Sequence, residues 1–111
     1  MKTFILLSLF LVSLLKCEED HPLSCKDALI SKLESESVRN PRAELWEYTI
    51  EGKKYYYTPP YCCDMFSDLY DSECNLICHP DGGITGDGDG ACGELKTKLI
   101  NGILVWTDGR K

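Results

Sequence analysis

The sequence predicts a small, disulfide-rich α+β domain in which an N-terminal helix packs on an antiparallel sheet. Three observations carry that prediction. Seven cysteines fall within 111 residues. An apolar stripe of period four runs through Cys25, Leu29 and Leu33. Downstream, the chain alternates and is rich in aromatics, with Gly, Pro and Asn as punctuation. Hydrophobic residues at 43% and charged residues at 27% are ordinary for a folded chain, and the length fits about one domain. The formal charge of −6 argues against a nucleic-acid partner, because phosphate contacts need clustered Lys and Arg.

Residues 1–16 read as an export signal. A basic start, Met1-Lys2-Thr3, precedes an apolar run from Phe4 to Leu15 interrupted only by Ser8 and Ser13. A run of that length is too short to span a bilayer, which takes about 20 residues, but matches the apolar core of a signal peptide. The run ends at Leu14-Leu15-Lys16-Cys17. That junction resembles the lipobox of bacterial lipoproteins, in which the Cys thiol is acylated and becomes the first residue after cleavage; the preceding residue, usually small, is here Lys16. The resemblance implies lipidation at Cys17 and an anchor in a membrane of the cell envelope, with plain secretion as the alternative. Residues 17–23 form an acidic linker. Without Lys2 and Lys16, ten basic side chains face eighteen acidic ones, so the mature chain carries −8.

The domain proper is expected over 24–111. Ser24 and Asp27 are spaced as a helix cap, and the stripe predicts a helix over about 26–36. Asn40-Pro41 breaks the chain. Alternation then predicts a strand over 45–50 with Trp46, Tyr48 and Ile50 on its inner face, a turn at Glu51-Gly52-Lys53, and a second strand over 54–58 carrying Tyr55, Tyr56 and Tyr57. These make a hairpin, and the tyrosines read first as cross-strand packing. Two shorter strands are expected over 65–70 and 76–79. Six of the nine glycines lie between Gly82 and Gly93, so 80–93 reads as a succession of turns. Residues 94–102 fit either a short helix or a hairpin turn at Asn101-Gly102. A last strand over 103–106 places Trp106, with Trp46, in the core.

Setting Cys17 aside leaves Cys25, Cys62, Cys63, Cys74, Cys78 and Cys92, an even set that reads as three disulfides. Cys74-x3-Cys78-His79 has the spacing of a zinc knuckle, but the adjacent Cys62-Cys63 does not. The pairing stays open among the fifteen possibilities. A bridge between Cys62 and Cys63 is disfavoured, because it strains the peptide between them.

The run Cys62-Cys63-Asp64…Cys74-Asn75-x-Ile77-Cys78-x-Pro80-x-Gly82-Gly83-Ile84-Thr85-Gly86-x-Gly88-Asp89-Gly90-x-Cys92 resembles a group of small lipoprotein domains of unknown function, typical of Gram-negative envelopes. Trp46-x-Tyr48 upstream and Val105-Trp106-x-Asp108-x-Arg110 at the end fit the same pattern. The resemblance implies an envelope lipoprotein and carries no activity with it.

No catalytic constellation is visible: His21 and His79 lack an evident Ser or Cys partner, so a non-catalytic binding module is expected rather than an enzyme. Asp87-Gly88-Asp89-Gly90, with Asp81 and Glu94, offers oxygen ligands of the kind calcium takes, although the full EF-hand spacing is absent. Tight turns capped by Asp explain the same residues without a metal. Two further function classes fit a small, exported, cysteine-rich domain. One is an inhibitor or defence factor, and the other is a calcium-stabilised module.

Overall fold

A computed structural model describes residues 23–111. The export signal, Cys17, His21 and most of the acidic linker lie outside the described residues. The chain folds as one helix and a five-stranded antiparallel sheet, and it is mostly sheet. In order these are α1 (Cys25–Ser35), β1 (Glu44–Ile50), β2 (Lys53–Thr58), β3 (Asp68–Tyr70), β4 (Leu76–Cys78), a 3₁₀ helix (Gly93–Lys98) and β5 (Ile103–Thr107). The strands lie in the order β4-β3-β2-β1-β5.

The cap spacing explains where α1 starts. Ser24 Oγ accepts from the Asp27 amide at 3.2 Å, satisfying a donor that the first turn leaves unpaired. The expected stripe is the buried one: Cys25, Leu29 and Leu33. Cys25 and Leu29 join Leu45, Tyr56 and Tyr70 of the strands in one buried cluster. Beyond the helix, Asn40-Pro41 is a cis peptide.

The β1–β2 hairpin turns at Glu51 and Gly52, with φ of 53° and 78°. Positive φ at both central residues is the backbone of a two-residue turn whose twist matches the strands, and Gly at the second position accepts it without steric cost. Trp46 pairs with Tyr57, and Tyr57 with Leu69; Glu47 pairs with Tyr56, and Tyr56 with Tyr70. Opposite residues share a face. Trp46, Tyr48, Tyr57 and Leu69 therefore point one way, and Leu45, Glu47, Tyr56 and Tyr70 the other.

This register corrects the expected core. Leu45 is fully buried, while Trp46 is half-buried on the opposite face. Trp106 packs against the cluster from its edge. The strand alternates as its sequence predicts, but both faces of β1 are covered, so burial does not follow Trp46 alone. Two expectations about length also change. The strand expected over 65–70 reduces to Asp68–Tyr70, because Phe66 makes an isolated bridge to Gly82 instead of extending the ladder. Residues 93–98 form the 3₁₀ helix, and Asn101 at φ 59° turns the chain into β5.

Three disulfides join Cys25 to Cys74, Cys62 to Cys63 and Cys78 to Cys92. The first ties α1 to the β3–β4 connection, and the third closes the glycine-rich segment onto the end of β4. The middle one overturns the expectation that Cys62 and Cys63 pair elsewhere. The fold sets the other four cysteines opposite one another in two pairs, with Cα separations of 5.1 and 5.3 Å. Cys63, at φ 55°, turns the chain so that the two remaining sulfurs meet.

Candidate functional site

The glycine-rich segment after β4 rests on a polar scaffold that begins in β2 and β3. The Ser67 amide donates to the Asp81 carbonyl at 3.0 Å. Ser67 Oγ donates to the same carbonyl at 3.1 Å and accepts from the Asp81 amide at 3.0 Å. Ser67 has no exposed surface, so these bonds satisfy a hydroxyl that burial would otherwise leave costly. Tyr57, on the face of β2 opposite Tyr56, donates its hydroxyl to both carboxylate oxygens of Asp81, at 2.9 and 3.0 Å. Burial, and then the bond to Asp81, push the Tyr57 hydroxyl well above its ordinary pKa, so it stays a donor.

His79 completes the base. Its Nδ1 lies 2.7 Å from the Ser67 carbonyl and 3.0 Å from Asp68 Oδ1. Both partners are acceptors, which assigns the proton to Nδ1. Phe66 stacks on the imidazole with centroids 5.0 Å apart and planes 15° apart. Thus Ser67 and His79 do meet, but through a backbone carbonyl; the serine hydroxyl is turned onto Asp81.

Asp89 fixes the far side of the segment. Its Oδ1 accepts from the Ala91 amide at 2.9 Å and from the His79 amide at 3.3 Å, and its own amide donates to the His79 carbonyl at 3.0 Å. The Ala91 amide is the main reason its carboxyl sits below the ordinary carboxylate range. Between them, Gly82 and Gly88 let the backbone close on itself. The Gly88 amide donates to the Gly82 carbonyl at 3.1 Å, and a Cβ on Gly88 would collide with the His79 carbonyl. Gly88 also has φ of 77°, so both space and conformation require glycine there.

The carboxylates expected to hold calcium are not brought together. Asp81 is engaged by Tyr57, and Asp89 by backbone amides. Asp87 is exposed, with its carbonyl accepting from Lys96 Nζ at 3.2 Å. Glu94 is exposed at the start of the 3₁₀ helix. Among the described residues, no three His, Cys, Asp or Glu side chains are grouped to hold a metal ion.

What this base presents outward is apolar. Ile84 is 90% exposed, Met65 53% and Phe66 44%. Asp64, Phe66, Gly83, Ile84 and Thr85 line a shallow depression between the segment and the Cys62–Cys63 turn. The Gly83 amide donates to the Met65 carbonyl at 3.0 Å and locks the two together. Sequence reading singled out the glycine segment but missed Phe66, Ser67 and Asp68. Their signal lay in the expected strand 65–70, where a polar pair interrupts the apolar run before Leu69.

A family profile matches residues 31–108, from the middle of α1 to the residue after β5. The chain belongs to DUF6970, a domain of unknown function. No curated protein and no solved structure matches it. The DUF6970 segment contains the whole sheet, the polar base and five of the six paired cysteines. Cys25, which anchors the helix start, precedes it.

Proposed function

We propose that this protein is an exported, lipid-anchored module of the bacterial cell envelope that binds a partner through the glycine-rich face and performs no catalysis. The observation that carries the reading is the contrast between base and rim. Tyr57, Ser67, His79 and Asp89 hold the segment by hydrogen bonds, and Cys78–Cys92 closes it, while Ile84, Met65 and Phe66 stand in solvent. An apolar rim on a backbone held in this way loses little backbone entropy on contact, which is what a preformed binding surface needs. Support for the anchor comes from the sequence: an apolar run of signal length ends at Cys17, and the odd seventh cysteine then has a role. A lipid on Cys17 would hold the domain at a membrane, with the acidic linker as tether.

The test installs a photo-crosslinking residue at Ile84 or Phe66 in cells, with exposed Ser31 on α1 as control. A discrete adduct is expected from 84 and 66 and not from 31. Equal labelling from all three positions, or none from 84 and 66, rejects the binding face. Intact mass of the membrane-extracted protein tests the anchor: acyl mass on Cys17 is expected, and its absence returns the protein to plain secretion.

A further inference from the structure

On the other side of Tyr61 a second concavity, of about 350 Å³, lies between the chain leading into β1 and the chain leaving β2. Arg39, Pro41, Arg42, Pro59, Pro60 and Tyr61 form most of its wall. We propose that this groove binds a carboxylated sugar, a uronic-acid unit, with its carboxylate on the two guanidinium groups and its ring against the prolines and Tyr61.

The charge distribution is the first argument. In a chain of net −6, two arginines converge on one groove. Arg39 is already arranged: Glu36 accepts from it at 3.0 Å, and its guanidinium lies 4.8 Å from the centroid of the Tyr61 ring. That partner leaves other N–H groups of its fork available, and it neutralises one positive charge. Arg42 is exposed, and among the described residues its only hydrogen bond is a long one, 3.5 Å, to the Asp108 carbonyl. Glu44, also in the wall, accepts from Trp46 Nε1 at 3.2 Å. One uncompensated guanidinium beside a carboxylate suits a monoanion better than a phosphate dianion. A planar fork matches a carboxylate through paired hydrogen bonds.

The wall is the second argument. Pro41, Pro59 and Pro60 contribute no N–H to the wall, so a third of its residues bring no backbone donor for a peptide's terminal carboxylate. It offers instead fixed apolar faces and one phenol ring. Such a surface fits the C–H face of a sugar, whose hydroxyls stay at the open side. The volume lies at the low end of small-molecule sites, which suits one or two sugar units.

The proposal does not depend on the apolar face around Ile84. The full chain with its disulfides intact is titrated, by calorimetry and amide NMR, with digalacturonate, with the neutral digalactoside, with inorganic phosphate and with a short peptide ending in a carboxylate. Digalacturonate is expected to bind, with shifts centred on Arg39 to Glu44 and Tyr61, and the other three to bind at least tenfold more weakly. Arg42→Met is expected to weaken binding roughly tenfold or more at unchanged melting temperature, because Arg42 is exposed. Arg42→Lys should recover part of the loss, and Ser31→Ala should leave the digalacturonate affinity unchanged. Digalacturonate binding that is absent, matched by any of the other three probes, or insensitive to Arg42→Met overturns the proposal.

Discussion

Asp81 is where the β2–β3 surface and the glycine-rich segment meet, and every polar group it offers is used. Its amide and carbonyl bind Ser67, and its carboxylate takes the Tyr57 hydroxyl. Tyr57→Phe removes what is, among the described residues, the only side-chain donor to that carboxylate, while keeping the ring that meets Tyr48 edge-on at 6.3 Å. A half-buried carboxylate that loses its partner costs about 1–3 kcal/mol, more than the bond itself contributes when both partners are present. Urea unfolding of Tyr57→Phe is expected to show that loss at unchanged slope. A variant as stable as the parent would mean that solvent already satisfies Asp81. None of this was legible beforehand. The alternation of β2 identifies Tyr57 as a strand residue, but not Asp81, 24 positions away, as its partner. His79 was equally opaque, since its partners are a carbonyl and a carboxylate contributed by an adjacent strand.

Among the elements, α1 owes its C-terminal closure to the end of the chain. Arg110 donates to the carbonyls of Leu33, Glu34 and Glu36 at 3.3, 2.8 and 3.0 Å. The Leu33 carbonyl already accepts from the Glu36 amide at 3.3 Å, so Arg110 adds a second donor there and supplies donors to Glu34 and Glu36; a cation there also suits the helix dipole. Asp108, with a side chain only 1% exposed, holds the guanidinium through bonds of 3.0 and 2.8 Å. Those bonds hold the Asp108 carboxyl at about 2, below its ordinary 3.8. A group depressed in the folded state stabilises fully above its ordinary value, and that contribution is lost as pH falls toward 2. The melting temperature of the parent should therefore drop between about pH 4 and pH 2. Asp108→Asn is expected to melt lower at neutral pH, by roughly 4–8 °C, and to have a flatter acid limb. An unchanged acid limb would assign acid sensitivity to other carboxylates, such as Asp71 and Asp89, which backbone amides also depress. The elements themselves were the most legible feature. The helix, its cap and its buried stripe follow from local spacing, and the hairpin follows from alternation around Glu51-Gly52. Which face of β1 contributes to the buried cluster did not follow, because apolar residues occupy both faces. β3 is shorter than the pattern of 65–70 predicts, because Met65 and Phe66 have the character of strand residues but serve the glycine-rich segment.

Across the whole molecule, the three disulfides perform unequal tasks. A bridge destabilises the unfolded chain in proportion to the logarithm of the loop it closes. Cys25–Cys74 spans 49 positions, and Cys78–Cys92 spans 14. By that relation they are worth about 4 and about 3 kcal/mol. Cys62–Cys63 joins neighbours, so it withdraws almost no freedom from the unfolded chain. Its effect must be local: it fixes the turn in which the Met65 amide donates to the Cys62 carbonyl at 2.9 Å, between Tyr61 on one side and Met65 and Phe66 on the other. Counting cysteines anticipated three bridges, but the pairing depended on which residues the sheet brings opposite one another. The paired Cys→Ser variants should therefore separate stability from surface. Under oxidising conditions, Cys25→Ser with Cys74→Ser is expected to lose the most stability, and Cys78→Ser with Cys92→Ser somewhat less. Cys62→Ser with Cys63→Ser is expected to unfold within about 0.5 kcal/mol of the parent, a change typical of a surface site. The same variant should broaden or shift the amide resonances of residues 61–66 and leave those of α1 in place. If it instead destabilises the domain as much as loss of Cys25–Cys74, the turn belongs to the folding core rather than to the binding surface.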